Sequence, residues 1–191
     1  MYPGYKEDFM GFDRIVVIIL FSILIIASIS DLFYKKIPNW LTFPSLVCGI
    51  FFQLILGGSD GLFSSLQGIA IGFVLTFILY LAGGLGAGDV KLMAAIGAFL
   101  GPKEIFLAFI FSSLLSGVYA IILLAIHGFI FQTLKRYFNI FKTLVMTLQL
   151  IYIPPLSDER RLGVRFGIMI ALGTLLTKFY VHRLPFINLL G

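Results

Sequence analysis

Charge is scarce in this chain: Asp, Glu, Lys and Arg make up 12% of its 191 residues, against roughly 25% in ordinary globular domains. With 60% hydrophobic residues it cannot clothe itself in a hydrated surface, which excludes a soluble domain and points to a polytopic membrane protein. Cysteine is limited to Cys48, excluding an intramolecular disulfide and a Cys-x-x-Cys metal site; within its apolar run it reads as a small packed hydrophobe. His127 and His182 lack metal-ligand spacing, so no metal is expected. No Ser/His/Asp or Cys/His arrangement offers an alternative nucleophile. No polar linker divides the chain, so one domain is expected over residues 1–191. The net charge of +5 sits beside apolar segments, as membrane topology requires, rather than in a nucleic-acid-binding patch. Met1 to Asp13 has no basic n-region and no small-residue cleavage site follows, so the first apolar run reads as a retained helix.

What is present is a series of apolar runs, near Ile15–Ser30, Leu41–Leu56, Leu66–Leu81, Val90–Leu100, Ile105–Ile126 and Val164–Phe179. They predict an all-α bundle of six transmembrane helices. Between the fifth and sixth, Leu134, Phe138, Phe141, Val145 and Leu148 recur at helical spacing opposite Lys135, Arg136, Asn139 and Lys142. Residues 129–153 therefore read as an interfacial amphipathic helix, a seventh span being the alternative. Lys35, Lys36, Lys91, Lys135, Arg136, Lys142, Arg160, Arg161 and Arg165 fall in alternate loops, whereas Gly57-Gly-Ser-Asp-Gly61 has no base. The positive-inside rule then places both termini outside and those loops in the cytoplasm, with Arg14 and Arg183 on the opposite side.

Two aspartates stand against this apolar background. Asp31 ends the first run, and Asp89 closes Gly86-Ala-Gly-Asp89. Carboxylates at such positions cost several kcal/mol and mark functional sites; two together can share one proton and activate a water. Asp89 and Gly101 are only twelve residue steps apart, about 18 Å of helix against a hydrocarbon core of about 30 Å. If Gly101-Pro102 marks the outer surface, Asp89 lies below the inner one, in a water-filled cavity open to the cytoplasm. The pair should titrate as a unit. Helix polarity favours a negative charge on Asp89 at a helix N-terminus and disfavours one on Asp31 at a C-terminus, making Asp89 the expected base.

The surrounding residues have expected roles of their own. Gly86 and Gly88 should permit unusual backbone conformations or a close backbone approach, here of a substrate strand; the plain alternative is a turn ending the third helix. Asn39 is the expected N-cap of the second helix, after Pro38, and Trp40 suits the membrane interface. Lys35 and Lys36 either set topology against lipid or meet an acidic residue of a substrate. Lys91 either snorkels or compensates the carboxylates. Asp13, Asp60 and Asp158 read as solvated loop residues.

Asp31 with Lys36-Ile-Pro-Asn-Trp-Leu-Thr42, and Gly86-Ala-Gly-Asp-Val-Lys-Leu-Met-Ala-Ala-Ile-Gly-Ala-Phe-Leu-Gly-Pro102, resemble the type IV prepilin peptidase family of Gly-x-Gly-Asp membrane aspartyl proteases. Phe166-Gly-Ile-Met-Ile-Ala-Leu-Gly173 is similar to the family's last helix, with Arg165 where a Pro often stands. The resemblance implies Asp31 and Asp89 as the catalytic pair, no cofactor, and cleavage of a leader peptide from prepilin-like precursors at the cytoplasmic face of a bacterial inner membrane. Without an N-terminal extension bearing cysteine pairs, the chain looks like the short, peptidase-only branch of tight-adherence (Flp-type) pilus systems, with no methyl transfer expected. Two other readings are a membrane protease of the presenilin or signal-peptide-peptidase type, which the Lys-Ile-Pro-Asn motif disfavours, and a small transporter or channel relaying protons through the two aspartates.

Overall fold

The computed structural model describes residues 4–128, 131, 135 and 166–183, and all regular structure among them is α-helical. The helices described, in chain order, are α1 (Gly4–Tyr34), α2 (Asn39–Leu81), α3 (Ala87–Ile126) and α4 (Phe166–Arg183). The chain divides into two compact units, Met1–Leu114 with Arg165–Gly191, and Leu115–Val164. Within the second, the described residues are chiefly the last turns of α3; nearly all of the expected interfacial segment 129–153 lies outside the described residues.

Among the described residues, three helices are long and apolar enough to cross a membrane, and α4 adds a shorter apolar one. Large apolar side chains cover the outside: Phe33, Trp40, Phe43, Phe51 and Phe63 are each more than half exposed. A continuous apolar exterior is stable against lipid and not against water, so the chain is a multi-pass membrane protein.

The expected loops at 57–61 and 101–104 are instead single-residue breaks inside α2 and α3, at Gly58 (φ 57°) and Gly101 (φ 73°). Asp60 is accordingly helical, though exposed, and Asp13 lies within α1. Each break turns the chain sharply back. Gly61 packs against the Gln53 backbone, eight residues earlier, where a straight helix would separate them by about 12 Å. Likewise a Cβ at Gly72 would lie 2.6 Å from Met93 O and 3.2 Å from Ile105 Cγ1, on either side of the Gly101 break. Glycine is required at both turns because their left-handed φ is costly for other residues, and Pro102 opens the next arm at a position that needs no N–H.

Small residues bring the arms together. Gly61, Ser65, Gly68, Gly72 and Thr76 form a buried face on α2 at the helical spacing that allows close approach in membranes. There Gly68 meets Gly97 backbone to backbone: a Cβ at Gly97 would lie 2.6 Å from the Gly68 carbonyl carbon. On the other arm of α2, a Cβ at Gly49 would meet Ala98 Cβ at 2.7 Å. The short arm of α3, residues 87–100, is thus enclosed, and every residue from Leu92 to Gly101 is buried.

The α1–α4 contact completes this unit. Leu20, Leu24, Ala27 and Asp31 form one buried stripe on α1, and Phe166, Ile170 and Ala171 are buried on α4. Further along α4, Gly173 packs on Ser112 of α3, and Lys178 pairs with Glu104 at 2.7 Å. Five buried hydroxyls return to their own helices: Ser45, Thr76, Ser112, Thr174 and Thr177 each donate to the carbonyl four residues earlier, which satisfies them in a medium without water. Cys48 differs from its expected packed role. It is exposed, since the buried face of that arm is taken by Leu41, Ser45 and Gly49.

Candidate active site

Asp31 reaches the site from the last turn of α1. It continues the buried stripe of that helix and is itself only 8% exposed. The next turn breaks the helix. The Lys35 amide donates to Asp31 O at 3.1 Å, and Lys35 adopts φ 51°, the only positive φ of a non-glycine residue among those described. A left-handed lysine costs about 1–2 kcal/mol. Ser30 Oγ donates to Lys36 O at 2.8 Å and holds the chain as it leaves. Pro38, extended at φ −73° and ψ 143°, takes the N-cap position of α2. Asn39 is therefore the first helical residue and not the cap. Its Oδ1 accepts a 2.9 Å hydrogen bond from Lys91 Nζ, which also lies 5.8 Å from the centre of the Phe43 ring. Lys91 thus clips the start of α3 to the start of α2.

Asp89 is held by local rules. α2 ends in a Schellman turn: Gly83 (φ 77°) donates to Tyr80 O at 2.9 Å and Gly84 to Leu79 O at 3.0 Å. The chain then places Gly86 as the residue before α3. Asp89, third in that helix, accepts a 3.0 Å hydrogen bond from the Gly86 amide at its Oδ2 and donates its own amide to Gly86 O at 3.1 Å. This is the carboxylate half of a capping box. Neither Gly86 nor Gly88 has a positive φ, so their expected conformational role gives way to a steric one. A Cβ at Gly86 would meet Asp89 Oδ2 at 3.2 Å, and one at Gly88 would meet Ile37 Cβ at 3.1 Å.

The two aspartates line one cavity of about 280 Å³, together with Lys35, Lys36, Ile37, Gly86, Ala87 and Gly88. At about 30 Å³ per molecule it has room for several waters beside the carboxylates. A second cavity of about 440 Å³, lined by Ser30, Tyr34, Lys36, Ile37, Pro38, Asn39 and Trp40, shares Lys36 and Ile37 with the first. All the expected site residues except Lys91 therefore surround one space. Two carboxylates facing shared water can act as general base and general acid in the same step.

One residue at this site went unmarked in the sequence reading as anything but part of a similar-looking helix. The amide of Gly167, second in α4, donates to Asp31 Oδ2 at 3.0 Å. The helix-dipole contrast drawn from sequence is offset accordingly, because Asp31 ends one helix but faces the N-terminus of another. The Phe166-Gly167 motif carried a signal, yet nothing in local spacing says that it meets a residue 136 positions earlier.

Comparison with known proteins shows the family. Residues 18–121, more than half of the chain, match the type IV leader peptidase family. A prepilin leader peptidase/N-methyltransferase of Bacillus subtilis (strain 168) is 34% identical over 110 residues, which cover 53% of this chain and 42% of the relative. Its namesake in Aeromonas salmonicida (strain A449) is 32% identical over 118 residues, 58% of this chain and 40% of the relative. That in Xanthomonas campestris pv. campestris is 34% identical over 119 residues, 56% of this chain and 40% of the relative. The matched segments thus span about two fifths of these relatives' length. No solved structure matches the chain. With both aspartates inside the matched segment, the chain belongs to the type IV leader peptidase family.

Proposed function

We propose that the protein is a membrane-embedded aspartic endopeptidase that removes the leader peptide from prepilin-like precursors, with Asp31 and Asp89 as its catalytic pair. The observation that carries this reading is the cavity of about 280 Å³ lined by both carboxylates, in a chain of the leader peptidase family. In this mechanism one carboxylate is ionised and the other protonated. The ionised member takes a proton from water as the water oxygen bonds to the scissile carbonyl carbon. The protonated member gives its proton to the carbonyl oxygen, producing a neutral tetrahedral diol. Collapse of the diol breaks the C–N bond, a proton passes to the leaving nitrogen, and the pair returns to its starting state. No metal or cofactor enters these steps.

Topology follows the same reading. Counting the arms on either side of Gly58 and Gly101 separately, α1 to α4 supply six spans, with the carboxylates towards the cytoplasm of a bacterial inner membrane and both termini outside. The short arm of α3, residues 87–100, is about 21 Å long and so leaves Asp89 below the membrane surface. Lys35 and Lys36, which line the cavity, would meet an acidic group of the precursor in this reading. The relatives' names include an N-methyltransferase; for this chain we propose peptidase activity alone.

The test is co-expression with a Flp-type prepilin, followed by mass spectrometry of the pilin N-terminus. Leader loss with wild type, its retention with Asp31→Asn and with Asp89→Asn, and an unmethylated new N-terminus are the expected results. Cleavage that persists in either folded variant refutes the paired mechanism. A methylated product refutes the peptidase-only reading.

A further inference from the structure

We infer that Gly167 is a positioning residue for Asp31: its backbone amide and its missing side chain together fix the carboxylate at the cavity, as Gly86 does for Asp89. This rests on the proposed role of the aspartates and adds the means by which one of them is aimed. Three observations carry it. The Gly167 amide donates to Asp31 Oδ2 at 3.0 Å in a buried setting. It is the second amide of α4, so it has no partner within its own helix and is available to an outside acceptor. And a Cβ at position 167 would fall 3.0 Å from Asp31 Oδ2 and 3.1 Å from both Cβ and Cγ, so any larger residue pushes directly on the carboxylate.

The arrangement at Asp89 shows that this is a matched device and not an isolated contact. There too a glycine amide meets Oδ2 at 3.0 Å, and there too a Cβ would crowd the same oxygen, at 3.2 Å. Each carboxylate thus has one oxygen pinned by a helix N-terminal glycine. That fixes the rotation of both carboxyl groups towards the space they share. The two differ in support. Gly86 lies on an exposed turn that can give way, whereas Gly167 is buried between its helix and Asp31.

Phe166-Gly167 is the only Phe-Gly pair among the chain's 20 glycines. Isotopic labelling of Phe carbonyls together with Gly amides therefore gives a single NMR cross-peak, that of the Gly167 amide, in the full-length protein in detergent. The expected result is a cross-peak that moves with pH in wild type and stands still in Asp31→Asn. A cross-peak that ignores pH in wild type, or moves identically in Asp31→Asn, overturns the inference. The kinetic counterpart is Gly167→Ala, expected to lower kcat about 10- to 100-fold while KM stays within about twofold. Gly173→Ala is the control. Its Cβ would collide with Ser112, 2.6 Å from the backbone nitrogen, and not with the carboxylate. It should lower the melting temperature while kcat changes by less than about threefold. Equal losses of kcat in the two variants would assign the effect to displacement of α4 and overturn the positioning role. The cross-peak needs no substrate, so its failure leaves the peptidase reading intact, and absence of cleavage leaves the cross-peak readable.

Discussion

Asp89 and Asp31 sit in the same cavity, yet they are held by opposite kinds of structure. The support of Asp89 is local: a Schellman turn, then a glycine three residues away whose amide binds the carboxylate. The support of Asp31 is assembled across the chain, from an amide 136 residues distant on another helix. A local support travels with its aspartate when the helix shifts, but a distant one breaks when either helix moves. One half of the site is therefore built by sequence-adjacent rules, and the other exists only once α1 and α4 have packed.

The largest effects should come from the carboxylates and be equal for both. Asp31→Asn and Asp89→Asn are each expected to slow leader cleavage by about 10³-fold or more, as removal of a member of a catalytic unit does; unequal losses in single-turnover assays would make the pair asymmetric. Next comes Gly97→Ala, which drives a methyl into the Gly68 backbone. Overpacking of this kind costs about 1–3 kcal/mol and should appear as a lower unfolding midpoint in detergent. Gly86→Ala tests the local support alone, and its exposed turn can relax. Cleavage should fall by no more than about fivefold, well below the loss at Gly167; a larger fall would show that the turn is rigid. The smallest change is Lys35→Gly, which relieves the left-handed lysine beside Asp31. It should stabilise the fold by roughly 0.5–1 kcal/mol, read from the same unfolding curves. A simultaneous rise in KM would show that the ammonium group meets the substrate.

What could be read in advance follows the same division. The two aspartates and the apolar runs were legible, because each depends on charge, length or spacing along a few residues. Which face of each helix packs inward was not, since these helices are apolar all round and hydropathy cannot distinguish lipid from protein. The sites of close packing are marked instead by Gly61, Gly68, Gly72 and Gly97. Asn39 was misassigned for a related reason: it has the side chain of a good cap, but Pro38 already supplies the extended backbone there, and Lys91 claims the Asn39 oxygen. The breaks at Gly58 and Gly101 proved tighter than loops because one left-handed glycine suffices to reverse a helix.

The crossing of Gly68 and Gly97 also acts as a depth gauge. With bare backbone on both sides, the two helices can mate only at that rung; a slip of one residue would place a side chain where no space exists. The height of Asp89 within the protein is then fixed by contact and not by how well apolar lengths match the bilayer. In a thinner or thicker membrane the lipid must stretch or compress around the molecule, while the carboxylate stays at one distance from the rest of the fold.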